Sequence, residues 1–224
     1  MRRWLRENSL TLVFLGLFVA AVFGQALVGH SDFNHQQVAH QDDTISLWRY
    51  VTSSSYWVDV MENWQSEYLQ FALFILGTVW LVQRGSTESK PPGEEGGESD
   101  EEQKIGEHAD PESPEWAKTR GLRTLVYANS LLALMVTIWL GSWLAQLVTG
   151  RVEYNAEQLD HHEAALSLWQ YAGSSDFWNR TLQNWQSEFL AVASMVVFSI
   201  WLRQRGSSQS KPVGEAHVTT GAEG

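Results

Sequence analysis

The sequence predicts an all-α integral membrane protein with four transmembrane helices, arranged as two hairpin repeats of the same orientation. Three observations predict this fold class: four apolar stretches without charge, a repeat at a fixed offset of 121 residues, and basic residues gathered on one side of the stretches. Pairing residues 2–94 with residues 123–215 without a gap gives 34 identities in 93 pairs. Each half is therefore expected to hold one hairpin of two spans.

The apolar stretches differ in length. The first and third, residues 10–29 and 131–148, approach the roughly 20 residues that a helix needs to cross a bilayer. The second and fourth, residues 68–82 and 189–202, reach that length only by including the polar and aromatic segments before them. This arrangement puts tryptophans near a membrane interface, where they are favoured, and Glu67 about one helical turn inside it.

Basic residues predict the orientation. Only Arg49, Arg151 and Arg180 lie in the two loops at 30–62 and 151–183, and the other basic residues flank the opposite ends of the stretches. By the positive-inside rule, both termini and the central linker are cytoplasmic. A cleaved secretory signal at 1–24 is the alternative for the first stretch, but the matching stretch at 131–148 lies in mid-chain, which favours a retained anchor.

These observations divide the chain into four parts: a first two-helix membrane repeat at 1–85, an acidic cytoplasmic linker at 86–118, a second repeat at 119–206 and a C-terminal tail at 207–224. Residues 91–115 carry ten acids and one lysine, so the linker is expected to be disordered, or else to bind a basic partner. The tail is also expected to be disordered. The formal net charge of −11 argues against nucleic acid as a partner, and a chain without cysteine has no disulfide or thiol chemistry.

The strongest motif is Asn-Trp-Gln-Ser-Glu, which occurs at 63–67 and again at 184–188. Polar side chains inside a membrane need specific partners, so one interpretation is a polar site for a cation or proton. That candidate site comprises Glu67, Glu188, Gln65, Gln186, Asn63, Asn184, Gln25 and Gln146. The other interpretation is that the motif caps and anchors a helix where it re-enters the membrane, because helix N-termini favour acids. Gln25 and Gln146 are also expected to hydrogen-bond between the helices of each half.

The outer loops are predicted to contain amphipathic helices on the membrane surface or packed over the bundle. The residues Trp57, Val60, Met61 and Trp64 have the spacing of one helix face, and 178–185 repeats it. Serines at 53–55 and 174–175 are candidate N-caps, and a second short helix is expected around Trp48 and its copy. The residues predicted to anchor the protein at the membrane interfaces are Trp57, Trp64, Trp178, Trp185, Arg84 and Arg205.

A polar set at the outer ends of the first and third helices recurs as well: Asn34, Gln37 and His40, then Asn155, Gln158 and His161. Histidines and nearby acids can bind a metal, but no tight ligand spacing is present, so a solvated continuation of each helix is the favoured interpretation. No metal and no cofactor is predicted. Gly85 and Gly206, just after the second span of each half, are expected to end the helix.

Several motifs are similar to those of a known family. They are Arg6-Glu7-Asn8-Ser9-Leu10, the Asn-Trp-Gln-Ser-Glu-Phe-Leu segment at 184–190, and the Gln-Arg-Gly-Ser…Ser-Lys-Pro segment at 204–212. In these the chain resembles small multi-pass bacterial membrane proteins that form a domain of unknown function. The resemblance covers nearly all of both repeats and leaves out the acidic linker. It implies a protein of the bacterial inner membrane and supplies no activity.

Three functional hypotheses follow. The first is a non-enzymatic structural or interaction protein of the cell envelope, because aromatic outer surfaces occur twice without recognisable chemistry. The second is a small channel or transporter in which Glu67 and Glu188 line a polar path. The third is a lipid-active enzyme at the outer interface that uses His40 and His161. The expected partner is the lipid bilayer, together with a second copy of the chain or an unidentified membrane protein.

Overall fold

The chain folds into helices joined by short turns and one long acidic linker. Its structure is a computed structural model that describes residues 1–221. Over that range there is no β-strand, and the only helix in the linker is a 3-10 turn at Gly106–His108. The α-helices are α1 (Arg2–Glu7), α2 (Ser9–Ala39), α3 (Leu47–Val51), α4 (Ser54–Trp80), α5 (Leu122–Ala128), α6 (Ser130–Asp160), α7 (Leu168–Ala172) and α8 (Ser175–Trp201).

The helix bounds recur along the chain. Each bound of α6, α7 and α8 lies 121 residues after the matching bound of α2, α3 and α4. Equivalent local contacts accompany them: the amides of Asn8 and Asn129 each donate to the carbonyl four residues earlier, where α1 and α5 end. The two halves therefore share not only residues but also the places where their helices begin and end.

Two helices, α2 and α6, are long and apolar enough to cross a membrane. Only 6% of the apolar window of α2 and 11% of that of α6 is buried, whereas a core helix of a soluble protein is mostly covered. These two helices indicate association with a membrane. Among residues 1–221 they are the two candidate spans, so the structure supports two rather than the four predicted. The 27-residue helices α4 and α8 are long enough, but polar and charged residues interrupt the apolar residues of their first halves.

α4 differs from the prediction of a separate surface helix followed by a span, because it runs without a break from Ser54 to Trp80. The expected apolar face is also divided: Val60 and Met61 are buried, while Trp57 and Trp64 remain 40% and 36% exposed. α8 is likewise continuous. The predicted second short helix does exist, as α3 and α7, and the predicted serine caps are present, since Ser174 accepts the backbone N–H of Phe177.

The chain divides into two compact units. Unit one combines Met1–Met61 with Ala145–Ala172, and unit two combines Glu62–Leu144 with the described residues from Gly173 onward. The helices α4 and α6 each supply residues to both units. Both copies of the repeated pentapeptide lie in unit two.

Unit one is built around the buried side chains of Tyr50, Tyr56, Val60 and Met61. The Tyr50 ring meets the Tyr56 ring edge to face, with the ring centroids 5.6 Å apart. Burial raises the pKa of the Tyr50 hydroxyl, and the Asp59 carboxylate adds to the effect, as do Tyr56 and two further acids. This tyrosine is therefore held neutral inside the unit.

A glycine seats each of two equivalent tyrosines. A Cβ added at Gly150 would lie 2.5 Å from the hydroxyl oxygen of Tyr171 and 3.2 Å from Val58 Cγ2. The corresponding Gly29 has the same relation to Tyr50, whose hydroxyl would meet the added Cβ. Real Cβ atoms do not approach other atoms this closely. Each tyrosine can therefore pack in this position on the neighbouring long helix only because that helix has a glycine there.

An asparagine fixes each loop that follows a long helix. The side chain of Asn34 donates to the carbonyl of Ile45 (3.0 Å) and accepts the backbone N–H of Ile45 (2.8 Å). Asn155 makes the same two bonds with Leu166, at 2.9 and 2.8 Å. Both helices continue past the apolar stretch, as predicted, but the asparagines are bonded into the fold rather than solvated.

In unit two the chain makes the same turn after α4 and after α8. The N–H of Gln83 donates to Ser89 Oγ and that of Gln204 to Ser210 Oγ, each at 2.8 Å. Gly85 has φ +87°, which a glycine adopts easily, but it lies inside this turn, beyond the end of α4 at Trp80. The predicted helix-ending role for it and for Gly206 is therefore wrong.

Lys211 is almost fully buried after the second of these turns. Its ammonium donates to the carbonyls of Gly85 (2.6 Å), His217 (3.0 Å), Thr219 (3.1 Å) and Ala216 (3.3 Å). Burial lowers the pKa of this ammonium. The predicted disorder of 86–118 and 207–224 concerns motion in solution and stays a prediction.

Candidate functional site

The two copies of the repeated pentapeptide meet in unit two. The indole N–H of Trp185, from the second copy, donates to the side-chain oxygen of Gln65, from the first, over 2.8 Å. Gln65 is 0% exposed, and its amide nitrogen donates to the backbone carbonyl of Glu62. The neighbouring Ser66 is 1% exposed and bonds back to the carbonyl of Asn63, as Ser187 does to that of Asn184. The motif thus ties α4 to α8.

Aromatic rings surround this hydrogen bond. Trp143 lies with its ring centroid 6.1 Å from that of Trp185 and 6.0 Å from those of Phe177 and Trp178. Trp139 also stacks on Trp143, with the ring centroids 5.9 Å apart. Such pairs contribute about 0.5–1.5 kcal/mol each beyond the area that they bury. The cluster joins α6 and α8 within unit two.

The two motif glutamates influence one another electrostatically. The carboxylates of Glu67 and Glu188 interact electrostatically, although they come from different copies of the repeat. Glu67 is exposed and Glu188 is half-buried. A pair of acids in this setting can hold a cation or share a proton.

A polar, open pocket lies beside the motif. Arg180 lines this pocket and pairs with Glu62 at 3.3 Å and with Asp176 at 3.5 Å. The amide of Asn184 donates to the carbonyl of Arg180. The lining residues are Glu62, Asp176, Asn179, Arg180, Gln183, Asn184 and Ser187. The guanidinium of Arg180 forms ion pairs with two carboxylates. The pocket therefore presents amides and a neutralised cation rather than a free positive charge.

The remaining members of the predicted polar site are not brought into one cluster. Gln186 and Asn63 are exposed, although their copies Gln65 and Asn184 are not. Gln146 is 1% exposed and neither atom of its amide has a hydrogen-bond partner, whereas its copy Gln25 is exposed. Gln146 therefore does not form the interhelical hydrogen bond that was expected of it.

The predicted interface anchors are largely exposed. Trp57, Trp64 and Trp178 keep 36–40% of their surface, and Arg84 and Arg205 are exposed as well. Trp185 differs, because its indole points to Gln65 and its ring joins the aromatic cluster. In the described part of the chain no group of three His, Asp or Glu side chains is placed to hold a metal ion. His40 and His161 are both exposed.

The sequence interpretation predicted the short helices α3 and α7 but assigned their exposed tryptophans no role. Trp48 is 76% exposed and Trp169 is 81% exposed, while Tyr50 and Tyr171, two residues further on, are buried. Each short helix begins at a serine cap, Ser46 or its copy Ser167. The loop before each short helix is held by an asparagine clamp, the two hydrogen bonds of Asn34 with Ile45 or of Asn155 with Leu166. The signal that marks these tryptophans is their identity at the offset of 121 residues, which predicts the helices but not the exposure of the side chains.

Comparison with known proteins identifies a family but no activity. Neither the curated proteins nor the solved structures include a match to this chain. A family model described as "Domain of unknown function (DUF6766)" matches residues 1–222. The chain therefore belongs to this family of unknown function, in agreement with the resemblance drawn from its motifs.

Proposed function

We propose that the protein is an integral membrane protein of the bacterial inner membrane with four spans, formed by duplication of one hairpin. The recurrence of helix bounds at 121 residues supports the duplication. At 1.5 Å per residue, each of α4 and α8 extends about 40 Å, enough for a ~30 Å hydrocarbon core. Their second halves are apolar, and the turns that follow carry Arg84 and Arg205. Both termini and the linker are then cytoplasmic.

Its function is to bind a partner in the envelope through the outer surface, without catalysis. The observation that carries this proposal is the paired exposure of Trp48 and Trp169 on short helices whose neighbouring tyrosines are locked over glycines. A large apolar side chain on a helix that is already fixed needs less ordering on binding, and tryptophan is enriched among binding hot spots. The pentapeptides have a supporting role in this account, since Gln65 and Trp185 use their polar atoms to hold helices together.

The experiment compares variants of two matched tryptophan pairs, each expressed in cells from which the native protein has been removed. Wild type is expected to restore resistance of the envelope to detergent, and the double variant Trp48→Ala/Trp169→Ala is expected to fail at equal abundance. The control is Trp80→Ala/Trp201→Ala, a pair at equivalent positions on α4 and α8 with similar exposure, 58% and 56%. Full restoration by the Trp48→Ala/Trp169→Ala variant would contradict the proposal.

A channel or transporter is the second candidate, favoured by the electrostatic interaction between Glu67 and Glu188. In liposomes that hold the purified protein, a pH-sensitive or cation-sensitive dye reports flux. Flux that disappears in Glu67→Gln/Glu188→Gln would establish this function in place of the first. Absence of flux in the wild type would remove it.

A further inference from the structure

The described part of the C-terminal tail, residues 207–221, folds back onto the turn that follows α4. The backbone N–H of Gly85 donates to Thr220 Oγ1 over 2.8 Å, and the backbone N–H of Gly221 donates to the carbonyl of Ser86 over 3.0 Å. The first of these bonds joins residues 135 positions apart. A segment that follows the second copy of the repeat is therefore bonded to the turn that ends the first copy.

The same segment is bonded to the end of α8. The guanidinium of Arg203 donates to the carbonyl of Glu215 over 3.0 Å, and Nδ1 of His217 lies 3.1 Å from the carbonyl oxygen of Ile200. Ile200 belongs to the last turn of α8, and Arg203 follows just after the helix ends. The tail thus connects the end of α8 to the turn after α4, all within unit two.

Lys211 holds the turn and the tail to each other. The residue is 1% exposed, and an ammonium buried in this way needs hydrogen-bond partners for its three N–H groups. The carbonyls around the ammonium are those of Gly85 in the turn and of Ala216, His217 and Thr219 in the tail. Lys90, at the equivalent position of the first copy, donates to the carbonyl of Gly96 in its own loop over 3.1 Å.

Gly85 is the residue over which the tail crosses. A Cβ added there would lie against the carbonyl oxygen of His217, closer than real Cβ atoms approach other atoms, and 3.1 Å from Ile200 Cγ2. Its copy Gly206 has nearly the same backbone φ, +81° against +87°, but an added Cβ there meets nothing within 4 Å in the described part of the chain. The tail is what distinguishes the surroundings of the two glycines.

The turn that the tail covers also forms one end of a groove between α4 and α8. The groove has a volume of about 450 Å³, with Phe74 among its lining residues on α4 and Val192 among those on α8. Ser89, from the turn, lines the groove as well. A Cβ added at Gly221 would lie 3.3 Å from the carbonyl oxygen of Ser89, so the tail packs against the rim of the groove.

We propose that residues 210–221 are a strap that holds the ends of α4 and α8 together and keeps the groove between them narrow at this end. Lys211 fixes the strap to the turn, and Gly85 leaves the space in which the strap crosses. In this account the strap is fixed on the fold, whereas the sequence predicts a disordered tail. Detachment of the strap would let the two helix ends separate and would widen the groove.

The test measures the distance between the two helix ends in the full chain. Because the chain has no cysteine, spin labels at Leu81→Cys and Leu202→Cys, two exposed and equivalent positions, report this distance by double electron–electron resonance. The labelled protein is expected to give one narrow distribution. Adding Gly85→Ala should shift it by several ångströms to longer distances and broaden it. Gly206→Ala imposes the same backbone strain without the clash and should leave it unchanged.

A second arm replaces the ammonium chemically. Lys211→Ala leaves the four carbonyls without their donor and is expected to lengthen the distance, whereas Lys90→Ala, the same change at the equivalent position, should not. Added ethylammonium has three N–H donors and should return the Lys211→Ala distribution to that of the unchanged protein. Tetramethylammonium has the same charge but no N–H group and should have no effect. Recovery with ethylammonium would also show that the variant is folded.

Four results would overturn the proposal. They are an unchanged distance in Gly85→Ala, the same broadening in both glycine variants, the same broadening in both lysine variants, and a Lys211→Ala distribution that ethylammonium restores no better than tetramethylammonium. The same broadening in both glycine variants would mean that backbone strain, rather than the tail, moves the turn. The distance is measured in detergent, so the outcome does not depend on how many helices cross the membrane or on the binding of an envelope partner.

Discussion

The contact between Gly150 and Tyr171 gives a sharp test of how unit one is held together. In Gly150→Ala the new methyl would lie 2.5 Å from the tyrosine hydroxyl and 3.2 Å from Val58. Overpacking of this kind costs about 1–3 kcal/mol. The alanine also gains about 1 kcal/mol of helix propensity. The variant is therefore expected to be destabilised by roughly 0–2 kcal/mol relative to wild type.

Gly141→Ala isolates the clash, because it makes the same change in the same helix where an added Cβ has no neighbour within 4 Å. It should gain helix propensity without cost, so the two variants should differ by about 1–3 kcal/mol. At roughly 2–4 °C per kcal/mol for a chain of this size, the midpoints of thermal unfolding should be several degrees apart. The assay is intrinsic tryptophan fluorescence during heating in detergent.

A second substitution tests the atom responsible. Tyr171→Phe removes the hydroxyl, after which the nearest atoms to the new methyl are Val58 Cγ2 at 3.2 Å and the ring carbon Cε1 at 3.3 Å. In that background Gly150→Ala should cost clearly less than in wild type. Equal stability of Gly150→Ala and Gly141→Ala, or a cost unchanged by Tyr171→Phe, would refute the reasoning.

Three further results are expected. Asn155→Ala removes both bonds to Leu166 and should destabilise the fold by about 1–3 kcal/mol, which chemical unfolding in detergent would measure; no change would contradict the clamp. Trp185→Phe keeps an aromatic ring but leaves the buried side-chain oxygen of Gln65 without its donor, which should destabilise the fold by about 1–3 kcal/mol. The double variant Trp185→Phe/Gln65→Leu has no unpaired oxygen at this position and should recover part of that stability. Absorbance at 295 nm should show that Tyr50, identified by difference from Tyr50→Phe, ionises above its ordinary pKa of 10.0. Because the folded state then binds the proton more tightly than the unfolded state, stability should decrease as the pH rises above about 10, and a normal titration would argue against burial.

Local structure was predictable where a residue acts on its own neighbours. The apolar runs predict α2 and α6, and the serine caps follow from the preference of hydroxyls for free backbone N–H groups at helix starts. The asparagine clamps were harder, because an asparagine near the end of a helix is equally compatible with solvent. Only the bond to a backbone group eleven residues away distinguishes the two, and such a contact leaves no local pattern.

The identity of the repeats limited what could be predicted about the site. Gln65 and Gln186 occupy the same motif, yet one is 0% exposed and hydrogen-bonded and the other is exposed. Gln146 and Gln25 differ in the same way. Identical residues predict identical roles, whereas burial depends on which neighbours pack beside each copy. For the same reason Trp185, expected at the interface like Trp64, joins an aromatic cluster instead.

The measurement that tests the account most directly is the side of the membrane on which each loop lies. The chain contains no cysteine, so single cysteines at Gln41, His162 and Ser99 can be labelled individually with a membrane-impermeant maleimide. With four spans, positions 41 and 162 react in intact cells and position 99 reacts only after the membrane is opened. If only α2 and α6 cross, positions 41 and 99 share a side and position 162 lies on the other, and that result would contradict the account.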